Sequence, residues 1–118
     1  MAAGIYNFTI EQGATFTRTF KYKDAEGTAI DLSNHEVRMD IRTSIDAEST
    51  LLELVETTSG TGFLVDETNK NEFTLTITAT DTSNLTFDTA VYDIEIEKGG
   101  LVTRLLQGKI KLSKEVTR

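Results

Sequence analysis

The sequence predicts an all-β chain folded as two packed antiparallel sheets, and three observations carry that prediction. Apolar and polar residues alternate along most of the chain, the period of strands with one buried face. The alternating runs are short and are separated by turn residues at the spacing of a sandwich. Threonine is abundant and proline is absent from all 118 residues, a composition that suits half-exposed pleated strands. One amphipathic sheet cannot bury so many apolar faces, whereas two sheets packed face to face can.

The first run spans Ile5–Ile10, with Ile5 or Tyr6, then Phe8 and Ile10, on its apolar face, and Gly13 breaks it. In Thr15–Tyr22, Phe16, Phe20 and Tyr22 share one face, and Thr15, Thr17, Thr19 and Lys21 share the other. Arg18 falls on the apolar face. Either its stem packs along the core edge or that end of the strand is open. Asp24-Ala25-Glu26-Gly27 reads as a turn, and Ile30 and Leu32 follow as a short apolar pair. Val37, Met39 and Ile41 then alternate with Glu36, Arg38, Asp40 and Arg42.

Thr43–Thr50 is irregular, with Asp46-Ala47-Glu48 suited to a helical turn. Leu51–Val55 breaks strict alternation, as a strand with both faces partly covered or a bulged one does. Phe63-Leu64-Val65 is a short strand after a loop at Thr57–Gly62, and Asp66–Asn71 is a polar turn. Phe73–Thr78 is the cleanest strand. Thr80–Leu85 reads as one helical turn bridging the two sheets, capped by Thr80 or Asp81. Tyr92, Ile94 and Ile96 alternate with Val91, Asp93, Glu95 and Glu97, and Lys98-Gly99-Gly100 is a hairpin turn. The last strand runs from about Leu101 to Ser113, with Val102, Leu106, Ile110 and Leu112 inward and Gly108 at a bend or bulge. The total is about seven to eight strands in one domain spanning 1–118.

Asp88-Thr89-Ala90-Val91-Tyr92-Asp93-Ile94 resembles the Asp-x-Ala-x-Tyr-x-Cys segment that opens strand F of immunoglobulin variable domains. The resemblance implies an immunoglobulin-like two-sheet antiparallel β-sandwich. It also implies a tyrosine corner at Tyr92, with the hydroxyl bonded to nearby backbone; the alternative is an ordinary core tyrosine. Ile94 stands where such a domain carries a cysteine, as suits a centre packed without a disulfide.

Composition narrows the function classes. With no cysteine there is no disulfide, thiolate metal site or cysteine nucleophile. A net charge of −7 argues against a nucleic-acid backbone as partner. No apolar run is long enough to span a membrane, and the opening Met1–Tyr6 lacks the basic and apolar regions of a secretory signal.

The search for chemistry yields no site: no catalytic, cofactor-binding or metal-ligating residue is assigned, and no small-molecule substrate is expected. His35, the sole histidine, sits in a turn with no visible partner. Ser59-Gly60-Thr61-Gly62 is a flexible loop without the lysine of a phosphate loop. The pairs Asp24 and Glu26, Asp46 and Glu48, and Asp66 and Glu67 lack the spacing of an EF-hand. Asp93, Glu95 and Glu97 fall on one solvent face of a strand, a row expected to oppose edge-to-edge pairing. Lys109–Arg118 is basic, but Lys109 and Lys111 flank inward residues and read as a solvated strand end.

The order of segments carries a wider resemblance. Ile10-Glu11-Gln12-Gly13-Ala14-Thr15-Phe16 leads into Phe20–Leu32, then Val37–Arg42, Leu75–Thr82, Tyr92–Ile96, Val102–Ile110 and the closing Ser113–Arg118. This order, over about residues 5–118, is similar to that of small immunoglobulin-like β-sandwich proteins of tailed-phage tails. Collar proteins that attach side tail fibres, and the N-terminal modules of baseplate proteins, are the groups concerned. The resemblance implies a non-enzymatic structural virion protein, assembled in the bacterial cytoplasm. It would form a homo-oligomer, as a ring, and join other tail proteins. A head-decoration module, or an immunoglobulin-like module that binds a host surface or glycan, is the alternative. Met1–Gly4 and Val116-Thr117-Arg118 are expected to reach neighbouring subunits.

Overall fold

The computed structural model describes residues 4–23, 26–32, 35–57 and 59–116. Among the described residues nine strands and one helix follow in chain order. They are β1 (Gly4–Ile5), β2 (Phe8–Glu11), β3 (Phe16–Lys21), β4 (Glu36–Arg42), β5 (Leu52–Leu54), β6 (Gly62–Val65), β7 (Glu72–Ile77), α1 (Ala79–Ser83), β8 (Thr89–Lys98) and β9 (Leu101–Ser113). One sheet has the order β1-β9-β8-β4-β5, with β2 also on β9; the other is β3-β7-β6. In immunoglobulin lettering these are a G-F-C-C′ sheet facing a B-E-D sheet, with α1 as the E–F crossover.

Inward residues of both sheets form one core. Val37, Met39 and Ile41 of β4, Phe73, Leu75 and Ile77 of β7, and Ile94 and Ile110 are all buried in it. Aromatic rings run through it in contact: Phe8 stacks on Phe16 at 5.1 Å, Phe20 on Phe73 at 5.3 Å, and Phe63 meets Phe73 edge-on at 5.7 Å. Pairs of this kind add about 0.5–1.5 kcal/mol each beyond their burial.

Pairing between the named strands is antiparallel except at the first run, which splits into β1 and β2 and runs parallel to β9. Tyr6, Phe8 and Ile10 turn inward, and Ile5 is exposed. Between β1 and β2 the chain kinks. The Asn7 side-chain oxygen there accepts from the Lys109 backbone N–H at 2.8 Å, replacing a ladder carbonyl.

The two sides of the sandwich differ. Beyond β5 the chain leaves the first sheet and pairs with the second, Phe63 N–H donating to Val55 O at 2.9 Å and Thr57 N–H to Phe63 O at 2.8 Å. Gly62, at φ +148°, makes the crossing possible, because a Cβ there would stand 2.4 Å from Val55 O. That crossing covers part of β6. On the other side β3 is the edge of its sheet, and among the described residues no strand lies beyond it.

Five sequence expectations need correction. The cap of the helical turn is Thr78, whose hydroxyl accepts from Asp81 N–H at 3.3 Å; neither Thr80 nor Asp81 serves. Any of the three suits a cap, and the end of β7 decides which one takes the role. Asp46-Ala47-Glu48 forms no helical turn: a turn at Ile45–Asp46 is closed by Ala47 N–H on Ser44 O at 3.2 Å. Leu51–Val55 is one-sided and regular, without partial cover on both faces or a bulge, since Leu52 and Leu54 face inward and Leu51 and Val55 are exposed. The irregularity of β9 lies at Leu105, which is unpaired between Ile94↔Leu106 and Glu95↔Arg104, and not at Gly108. That extra residue shifts the alternation by one. Thr103 therefore opposes Ile96 on the inner face, and Val102, expected inside, is exposed. The turn at Asp24-Ala25 and most of the terminal segments lie outside the described residues, whereas Gly27 has a positive φ, as a turn glycine can adopt.

Thr82 is the one buried polar residue of the described chain. Its hydroxyl accepts from Gly13 N–H at 3.0 Å and lies 2.9 Å from Ala14 O, so α1 holds the β2–β3 turn. Thr82→Val keeps the shape and strands both backbone groups. A loss of about 2–3 kcal/mol is expected in urea unfolding, and a loss under ~0.5 kcal/mol would show that the bonds are dispensable.

Candidate functional site

Two surface features gather side chains, and neither has the composition of an active centre. The first is the outer face of the β9-β8-β4 sheet. Pleating places Asp93, Glu95 and Glu97 in a row on that face, as the sequence predicts, but the register brings arginines beside them. Arg38 Nε donates to Glu95 Oε1 at 3.2 Å and Arg38 Nη1 to Glu97 Oε1 at 3.0 Å. Arg104 pairs with Asp93 at 3.4 Å and Arg42 with Asp40 at 3.3 Å. The row is a laced ladder of ion pairs, not a free anionic surface. A shallow groove of about 590 Å³ crosses it, flanked by the exposed Ile5 and Ile45.

Asp93 is held above the ordinary aspartate range. Partial burial is the main cause, with the Glu95 and Asp40 carboxylates adding to it. The Arg104 guanidinium pulls the other way and does not overcome burial. A raised folded-state value means that the stability tied to Asp93 is full below its unfolded value and fades as pH rises through the folded one. Asp93→Asn is therefore expected to improve relative to the parent in thermal melts as pH rises upward from the ordinary aspartate range. A variant that falls further behind over that range would show that the Arg104 pair dominates.

The second feature is a cleft of about 390 Å³ where the sheets part, between the edge strand β3 and the β1–β9 corner. Phe20, Tyr22, Phe73, Leu105 and Leu106 form its walls. Arg18 crosses its mouth, with the guanidinium 5.2 Å from the Phe16 ring centre and 5.9 Å from that of Tyr6, and Nη1 donates to the Tyr6 hydroxyl at 2.5 Å. Of the two sequence readings of Arg18 the open one holds, since β3 is an edge strand, and it is the guanidinium that lies over the aromatic rim of the core.

Beneath the cleft Tyr92 donates from its hydroxyl to Tyr6 O at 2.5 Å. The tyrosine-corner expectation is corrected in its partner. The hydroxyl does bond to backbone, but on the N-terminal strand and not a few residues upstream. Burial, and next the neighbouring Tyr6, push the Tyr92 hydroxyl well above the ordinary tyrosine range, so it stays a donor.

The remaining candidates are structural. His35 is half-buried where the chain enters β4; its N–H donates to Leu32 O at 3.0 Å and its Nδ1 has no partner among the described residues. Ser59–Gly62 is more than a loop. Thr61 donates to the Asp81 carboxylate and accepts from Thr78 N–H at 2.9 Å, tying the loop to α1. Among the described residues no group of three or more histidine or carboxylate side chains is placed to hold a metal ion. No described helix is long and apolar enough to cross a membrane. None of the nine aromatic residues is exposed. Sequence reasoning missed the cleft itself; its only trace was a cation at an inward position of β3.

Neither the models of known protein families nor the curated proteins give a match to this chain.

Proposed function

We propose that this chain is a structural protein of a tailed-phage virion. In this reading it is a non-enzymatic collar or adaptor of the tail or baseplate, oligomerising as a ring and joining fibres or baseplate parts to the tail. The observation that carries the reading is the resemblance of the segment order over about residues 5–118 to small tail sandwiches. The immunoglobulin-like topology is compatible with it, although a fold of this kind hosts many functions. Two features support a scaffolding role over chemistry. The arginines of the outer sheet face are each paired with a carboxylate beside them, and the exposed apolar residues Ile5, Ile45, Val55, Leu64 and Leu101 are spread over edges and loops, where subunits meet. The glycan-binding alternative finds no exposed aromatic platform.

The test is the solution mass by light scattering over a concentration series. A discrete, closed oligomer of ring size is expected. A monomer at every concentration, with specific binding on a glycan array, would replace this reading with that of a recognition module.

A further inference from the structure

We infer that the open side of the sandwich is a docking site for an extended strand of a different protein, which pairs with β3 and sets a carboxylate on Arg18. The inference does not depend on the tail reading.

Three observations converge on this side. The first is backbone. β3 spans Phe16–Lys21 with β7 on one flank and no described strand on the other, so one row of its N–H and C=O groups is open to pairing. The second is shape. Behind that row lies the apolar cleft, where Phe20, Tyr22 and Phe73 face Leu105 and Leu106. A strand added to β3 would point every second side chain into it and the others toward solvent, the arrangement of strand addition. The third is charge. Four arginines lie among the described residues, and Arg38, Arg42 and Arg104 each pair with a carboxylate. Arg18 has none among the described residues; it contacts only rings and a phenol, in a chain of net charge −7. Its position in β3 is an inward one, so the carboxylate it lacks belongs at an inward position of the incoming strand.

No described edge strand of a second copy of this chain supplies that strand. The described edge strands are β1 and β2, β5, β3 and β6. Their only acids are Glu11 and Glu53, both on the exposed face, while Phe8, Ile10, Leu52 and Leu54 take the inward positions. Pairing β3 with another β3 would add no acid and would bring two copies of Arg18 and Lys21 together. The occupant is therefore a foreign segment, apolar at alternate positions, with Asp or Glu at one of them.

The probe is the capped heptapeptide KVTETVK. Its palindromic order presents the same side chains to β3 in either strand direction, with the glutamate in register with Arg18. Titration of the full chain, followed by amide NMR, is expected to shift β3 and the cleft residues and leave the outer face of the β9-β8-β4 sheet unmoved. Arg18→Glu should weaken binding about tenfold or more and should bind the charge-reversed KVTKTVK better than the original peptide. Arg18 is exposed, so the variant is expected to keep the fold, which its unbound spectrum checks. Absence of binding by both peptides, shifts located elsewhere, or equal affinity of parent and variant would each overturn the inference. Doubling of the mass without peptide, abolished by Arg18→Glu, would also overturn it by making a second copy the occupant.

Discussion

Replacing Gly108 with alanine is expected to destabilise the fold by about 3 kcal/mol, the upper part of the overpacking range. A Cβ built there stands 2.1 Å from Tyr6 O and 2.8 Å from both Tyr6 C and Asn7 Oδ1. Two of these atoms are backbone, so no rotamer change relieves the contact. The closeness has a structural use. Gly108 opposes Tyr92 in the ladder, and the Tyr6 carbonyl turns into the space that a side chain would fill, where it receives the Tyr92 hydroxyl. Alanine would push out the kink between β1 and β2 and break the Tyr92 and Asn7 bonds together. Hydrogen exchange should show lost protection over residues 4–11 before it shows any over β7. An unchanged melting temperature would mean that the kink relaxes freely.

Phe73→Ala is expected to cost about 3–5 kcal/mol, the range for removing a buried aromatic ring. Phe73 sits on the central strand of its sheet, opposite Phe20 on β3 and Val65 on β6. Its ring touches those of Phe20 and Phe63, each fixed to a neighbouring strand, so the space left behind cannot close by one side chain moving. For a domain of this size the melting temperature should fall by roughly 10–20 °C. The loss would also deepen the cleft beside β3, so added apolar ligands should recover part of it. A loss below about 1 kcal/mol would show that the aromatic cluster repacks.

The sandwich was legible because its evidence is local. Phe73–Thr78 shows an alternation that only a strand satisfies, and Gly99-Gly100, both at positive φ, can hardly be anything but a tight hairpin turn. The errors arose where two answers share one pattern. Leu105-Leu106 is an apolar doublet, so either residue can be the inward one, and the bulge that decides is set by pairing with β8. The cleft was hidden for a different reason. The β1 and β2 pairing with β9 joins opposite ends of the chain and leaves no periodic trace in either segment. Nothing in Tyr6 or Gly108 taken alone announces that they meet. Arg18 was the exception, because a cation among inward aromatics breaks a local rule and so marks the open edge.

The parallel pairing of the N-terminal strand has a mechanical consequence. Gly4 is beside Leu106 and Glu11 beside Ser113, so a pull on the chain through its two ends drives β2 and β9 past each other along their length. Their bonds, evenly spaced as in any parallel ladder, share that load at once instead of parting one after another as a hairpin does when unzipped. The domain is built to resist axial tension between its ends. Single-molecule stretching should record a higher rupture force through residues 4 and 113 than through residues 89 and 113, which peel β8 from β9 from the open end of their antiparallel pair.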